Sequence, residues 1–207
     1  MTTSSYTYRC ERVQSGLDSA NWESLPKVEL ADSPTGERAA LRTVVQCCRD
    51  SIALYFRFEC QDDFVISSYT ERDEPLYEQD VVEIFIDETG NGTRYMEIEL
   101  SPNNVIFDAI VTNHNFTKPG GRLEVDTSWD MEGLQTSVTR DDNGAFHYQI
   151  VMPLDQFASV PAEGDSWRIN FYRIDQEVSG VRHYSAWSPT YNPSFHAAER
   201  FGTLLFV

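Results

Sequence analysis

Positive charge is scarce in this 207-residue sequence: 16 Lys and Arg stand against 33 Asp and Glu, for a net charge of -17. So acidic a chain repels phosphate backbones and anionic lipid headgroups, which sets nucleic acid and membrane aside as partners. Long apolar runs are missing too, none approaching the roughly 20 residues of a membrane-spanning helix. The opening residues, MTTSSYTYRCERVQ, carry neither the basic nor the apolar stretch of a secretory signal. As it stands the chain reads as soluble and cytoplasmic, with a periplasmic or extracellular setting the alternative if a signal was removed. Cysteine is limited to Cys10, Cys47, Cys48 and Cys60, with no CxxC or metal-finger spacing, which favours buried reduced thiols over a zinc site. The four histidines, His114, His147, His183 and His196, are scattered and form no HExxH pattern. Neither a GxSxG elbow, a phosphate loop nor a dinucleotide fingerprint occurs.

What the sequence has is alternation. Short runs rich in β-branched and aromatic residues are broken every ten or so residues by Gly, Pro, Asn and Asp, the pattern of half-buried strands. Residues 51–60 place Ile52, Leu54, Phe56, Phe58 and Cys60 on one face, with Tyr55, Arg57 and Glu59 on the other. Residues 81–87 turn Val82, Ile84 and Ile86 inward, and 95–100 do the same with Met96, Ile98 and Leu100. Further strands are expected at 41–47, 105–110, 146–152, 167–174 and 202–207. The adjacent Cys47 and Cys48 point to opposite faces. Only 153–157 and 194–200 suggest helical turns, and 113–122 reads as an exposed loop. The fold class is therefore all-β: a two-sheet antiparallel sandwich, immunoglobulin-like or jelly-roll-like, forming one domain over 1–207. A haem-binding sandwich would need Met and His on one face of neighbouring strands, whereas Met96 alternates inward and His147 outward.

Between the strands at 81–87 and 95–100 lies Glu88-Thr89-Gly90-Asn91-Gly92-Thr93-Arg94, whose glycines supply the positive backbone angles of a reversal. A turn centred near Asn91 pairs residues whose numbers sum to about 182. Glu83 then faces Glu99, and Phe85 faces Glu97, all four pointing away from the apolar face. Like charges with Cβ atoms only ~4.5–5.5 Å apart repel, so something must compensate. Water with a neighbouring cation such as Arg57 or Arg173 would do so. A polar groove whose carboxylates accept hydrogen bonds from ligand hydroxyls would serve equally, and a glycosidase acid and nucleophile would want a similar spacing.

Leu76-Tyr77-Glu78-Gln79-Asp80-Val81-Val82-Glu83-Ile84-Phe85-Ile86-Asp87 resembles a signature segment of the family 9 carbohydrate-binding modules. Ser185-Ala186-Trp187-Ser188-Pro189-Thr190, then Asn192-Pro193-Ser194-Phe195 and Phe201-Gly202-Thr203-Leu204, is similar to its closing segment, and Gly16-Leu17-Asp18 with Trp22 to its opening. The resemblance implies a non-catalytic β-sandwich that binds an oligosaccharide or polysaccharide of plant type, such as xylan or cellulose. It also implies a glycoside hydrolase as partner in polysaccharide catabolism. Two rings would sandwich a sugar, and these positions fall on Tyr77 and Phe195. The polar set falls on Glu83, Glu99, Ser101, Tyr172 and Asn192, with Arg173 a counter-charge that should face the other side of its strand. Where the family has two Trp, this chain has a Tyr and a Phe; Glu99 replaces an Arg and Ser101 an Asn, which makes the pocket more acidic. The resemblance further implies structural calcium, for which Asp62, Asp63 and Asp80 are the candidates. Two alternatives remain open: a glycoside hydrolase using Glu83 and Glu99, and a sandwich with a structural or protein-binding role.

Overall fold

The computed structural model describes residues 6–14, 16, 22–114 and 122–207. Leu17 and Asp18 of the opening segment, and residues 115–121 of the expected loop, lie outside the described residues. In chain order the strands are β1 (Thr7–Arg12), β2 (Val28–Glu29), β3 (Ala31–Asp32), β4 (Thr43–Arg49), β5 (Ala53–Cys60), β6 (Val81–Asp87), β7 (Arg94–Leu100), β8 (Ile106–Asn113), β9 (Leu123–Asp126), β10 (Gln135–Arg140), β11 (Phe146–Pro153), β12 (Ser166–Gln176), β13 (Arg182–Ala186) and β14 (Gly202–Phe206). Among the described residues the helical elements are single 3-10 turns at Leu76–Glu78, Leu154–Gln156 and Ala198–Arg200; the first was not expected from the sequence.

One sheet runs β10-β11-β5-β4, with β2 beside β4; the other runs β14-β12-β6-β7-β8-β9, with β13 and β3 continuing from β12. The expected sandwich is what forms, with one departure. β1 pairs in parallel, first with β14 through Thr7–Cys10 and then with β4 through Glu11 and Arg12, so a single strand is shared by both sheets. The first half of β12 pairs with β14 and its second half with β13.

The alternation holds because each sheet must bury one face. Val82, Ile84, Ile86, Met96, Ile98, Leu100 and Phe171 of one sheet meet Val45, Cys47, Leu54, Phe56, Phe58 and Ile150 of the other. Phe171 sits at the middle of this core, its ring 6.0 Å from both Phe56 and Phe58 and 5.6 Å from Trp187. Ile52 corrects the expected pattern. It is 70% exposed, because β5 begins one residue later and Ile52 stands in a turn whose amides at 52 and 53 are held by Asp50. All four cysteines are buried and free; Cys47 faces the inter-sheet core, and Cys48 packs on the far side with Leu25 and Tyr55.

The outer face of the β6-β7-β8-β12 sheet is not left to water. Val81, Phe85, Tyr95, Phe107, Tyr172 and Ile174 point outward along their strands, and such an apolar face has to be covered. The cover comes from Leu76 before β6 and from Phe195, Ala198 and Phe201 before β14. Gly202 ends that cover where only hydrogen fits, since a Cβ there would overlap the Trp187 indole.

Candidate functional site

The incomplete edge of this cover leaves a hollow of about 680 Å³ over β6 and β7. Its floor is set by the β6–β7 hairpin. Gly90 and Gly92 take φ of 69° and 75°. The Asp87 carboxylate accepts hydrogen bonds from the amides of Thr89, Gly90 and Gly92 and from the Thr89 hydroxyl. The resulting register pairs Glu83 with Glu99 and Phe85 with Glu97, as the turn arithmetic required.

The three glutamates offer carboxylate oxygens that all lie within 4.8 Å of one another, and all three side chains are buried. Glu83 and Glu97 line the hollow, with Glu99 behind them. Glu83 Oε1 has no hydrogen-bond partner, and neither carboxyl oxygen of Glu99 has one of normal geometry. Burial is the main reason these groups resist ionisation. It pushes Glu97 up to about 8, and it raises Glu83 and Glu99 well above the usual carboxylate range, each with the added repulsion of its neighbours. Arg182 draws Glu83 part of the way back. Near neutral pH the floor therefore holds protons as well as charge, and offers donors and acceptors to a polyhydroxyl ligand.

The walls are aromatic. Tyr77, from the 3-10 turn before β6, is 46% exposed and stands edge-on to Phe107 at 6.1 Å. Phe195 lines the same hollow but exposes only 7%, because one face stacks on Tyr172 at 4.1 Å and Tyr184 abuts it at 5.9 Å. The Tyr172 hydroxyl also donates to the Phe195 carbonyl at 3.0 Å, which fixes the segment that carries the ring. Arg182 donates to the Tyr77 carbonyl and lies 5.4 Å over the Tyr184 ring. His196 completes this side, its ring against Phe85 and its Nδ1 2.8 Å from the Tyr95 hydroxyl; burial lowers it to about 4, so it is neutral.

Of the residues expected from sequence, Tyr77, Glu83 and Phe195 line the hollow, while Glu99 and Tyr172 support it from behind. The other three are elsewhere. Ser101 is buried at the end of β7, where its hydroxyl accepts the Val105 amide. Asn192 caps its own loop through the Ser194 amide. Arg173 faces the opposite side of β12, as its alternation required, and bonds Asp62 at 3.0 Å, Asp175 at 2.5 Å, the Thr43 hydroxyl and the Gln61 carbonyl.

Asp62, Asp63 and Asp80 do not fit a calcium ion. Both Asp80 oxygens are taken by the amides of Ile66 and Gln176, Asp62 is spent on Arg173 and the Phe64 amide, and Asp63 lines a separate surface depression. The Arg173 guanidinium already supplies the positive charge at that end of the sandwich.

Sequence reasoning did not assign Glu97, Arg182, Tyr184 or Phe107 to the site. Glu97 was in the hairpin arithmetic, but only as the partner of Phe85. Arg182 and Tyr184 follow from a second hairpin. The turn at Ser179-Gly180, with Gly180 at φ 86°, sets Gln176 against Arg182 and Ile174 against Tyr184.

Comparison with known proteins agrees with this fold. An extracellular protein of Arthroderma benhamiae is 27% identical over 177 residues, covering 80% of this chain and 79% of that protein. Among solved structures, a candidate carbohydrate-binding protein from Bacteroides uniformis superposes with a TM-score of 0.78 at 15% identity, over 98% of this chain and 99% of that one. A family 9 carbohydrate-binding module from Caldicellulosiruptor kristjanssonii has been solved with cellotriose and with glucose. The first superposes at 0.68 and 15% identity over 97% of this chain and 93% of that one, the second at 0.67 and 14% over 96% and 95%. The family model described as carbohydrate family 9 binding domain-like matches residues 15–207, and the chain belongs to that family, whose role is non-catalytic carbohydrate binding.

Proposed function

We propose that the hollow over β6 and β7 receives a sugar ring, with its C–H face on Tyr77 and the exposed edge of Phe195 and its hydroxyls bonded by Glu83, Glu97 and Arg182. The observation that carries this is the convergence of an exposed tyrosine ring and buried, under-bonded carboxyls on one concavity. Apolar walls with a few directed polar groups suit pyranoses, and about 680 Å³ lies within the usual range for small-ligand sites. The cellotriose and glucose held by the Caldicellulosiruptor module support a β-glucan or related plant-type polymer, cellulose or xylan, as the source of that sugar. An associated glycoside hydrolase is the partner such a binder would serve, and the extracellular fungal relative supports an exported setting. Hydrolysis by this chain itself is disfavoured, because Glu83, Glu97 and Glu99 share one sheet face, whereas a glycosidase needs carboxyls flanking the scissile bond.

Calorimetric titration with glucose, xylose, cello- and xylo-oligosaccharides and their end-reduced forms tests this reading. At least one sugar should bind, and Tyr77→Ala should weaken it about ten- to a hundredfold, taking aromatic–base stacking as the analogue. Absence of any Tyr77-dependent heat across the panel would refute it.

A further inference from the structure

From the convergence of Glu83, Glu97 and Glu99, we infer that the floor of the hollow is a binding site for one divalent cation of the calcium class, reached from the sugar side. Calcium–oxygen bonds run about 2.3–2.6 Å, so two ligands on one ion stand at most about 5 Å apart. The three carboxylates already satisfy that limit, with all their ligand oxygens inside 4.8 Å.

A cluster of acids alone would carry nothing, but these have two further properties. Glu83 is 2% exposed and Glu99 0%, and Glu83 Oε1 and both Glu99 carboxyl oxygens have no hydrogen-bond partner of normal geometry. Buried polar atoms left this way cost free energy unless something fills the gap. The cation acting on Glu83 is also engaged elsewhere: Arg182 donates to the Tyr77 carbonyl. A divalent ion would bind in place of the protons that these buried carboxyls hold.

The second acidic group among the described residues, Asp73, Asp108 and Asp130, differs on this point. Arg72 already bonds Asp108 at 2.6 Å and Asp130 at 2.7 Å. Three monodentate carboxylates leave a calcium ion with open positions, since it takes six to eight oxygens. The hollow is the side from which those oxygens can come. Resting on the sugar-binding reading, the inference extends to the ligand: vicinal hydroxyls of the sugar complete the coordination, so affinity depends on the ion.

The test uses the whole protein, stripped with a chelator and dialysed, and is first run without sugar. Calcium chloride, with magnesium and manganese chlorides as comparators, is titrated calorimetrically and in thermal melts. One calcium should bind per chain, with melting raised roughly 5–10 °C at a hundredfold excess over Kd. Glu97→Gln, which keeps the side-chain shape, should weaken binding at least tenfold, and Asp130→Asn should leave it intact. If none of the ions binds below 10 mM, or if Glu97→Gln binds as tightly as the wild type, the cation site is refuted whatever the sugars do. The sugar panel is then repeated with calcium and with chelator. Affinity at least tenfold higher with calcium supports the extension. Equal affinity in both refutes the extension, while failure of every sugar beside a bound ion refutes the sugar reading and leaves the cation site standing.

Discussion

Replacing Arg173 with methionine isolates the cost of a buried charge. The guanidinium is 4% exposed and bonds two carboxylates, Asp62 at 3.0 Å and Asp175 at 2.5 Å, besides the Thr43 hydroxyl and the Gln61 carbonyl. Methionine fills much of the volume but leaves both acids without a counter-charge, and breaking a buried pair in this way costs about 3–5 kcal/mol. For a chain of this size the loss corresponds to roughly 6–20 °C in melting temperature. The pH dependence is equally specific. Burial holds Asp62 at about 6 against its ordinary 3.8 even with Arg173 present. A folded-state value above the unfolded one gives stability that is complete below 3.8 and lost as pH rises through about 6. Without the guanidinium the folded-state value climbs further. The variant is then weakest against wild type at pH 8 and closest to it near pH 4. Urea unfolding followed by tryptophan fluorescence at pH 8, 6 and 4 measures the gap. A loss below about 1 kcal/mol, or a gap that does not change with pH, would overturn the assignment of Arg173 as the buried counter-ion of this cluster.

Gly202→Ala should destabilise by about 1–3 kcal/mol because the added methyl meets the Trp187 ring, and Trp187→Leu in the same chain should recover part of that loss in chemical denaturation. Asp87→Ala should cost about 3 kcal/mol by removing the acceptor of four hydrogen bonds in the β6–β7 turn, with hydrogen exchange accelerated first at Gly90 and Gly92. His196, lowered from 6.5 to about 4, stabilises fully above 6.5, and that contribution fades as pH falls toward 4. The wild type should therefore lose roughly 3 kcal/mol relative to His196→Gln across that window, and parallel pH profiles would show that His196 is not held neutral.

The inter-sheet core was legible because alternation is local: Leu54, Phe56 and Phe58, or Val82, Ile84 and Ile86, declare their face without knowledge of their partners. The same holds for the Glu83–Glu99 pairing, since Gly90 and Gly92 fix the turn and a two-residue period does the rest. The edge strands escaped notice because neither face of Leu123–Asp126 or Gln135–Arg140 is consistently apolar, and both lie at the margins of their sheets. The parallel pairing of β1 had no local turn to announce it. Within the site, Tyr77 and Glu83 stand on a segment with a strong signature. Arg182 and Tyr184 depended on extending the hairpin argument to β12 and β13. Ser101 and Asn192 were carried over by resemblance alone, and in this chain their polar atoms are used to close turns.

The sharing of β1 between the sheets also sets a schedule. Four of its six residues take their strand partners from residues 203–206, so their ladder stays unmade on the ribosome until nearly the whole of this sequence has emerged. The two layers can form their hairpins early, but the seam that joins them is sewn last. Until then an exposed strand carrying Tyr8 and Cys10 awaits its slot, and this is the interval in which the nascent chain is most open to pairing with the wrong edge.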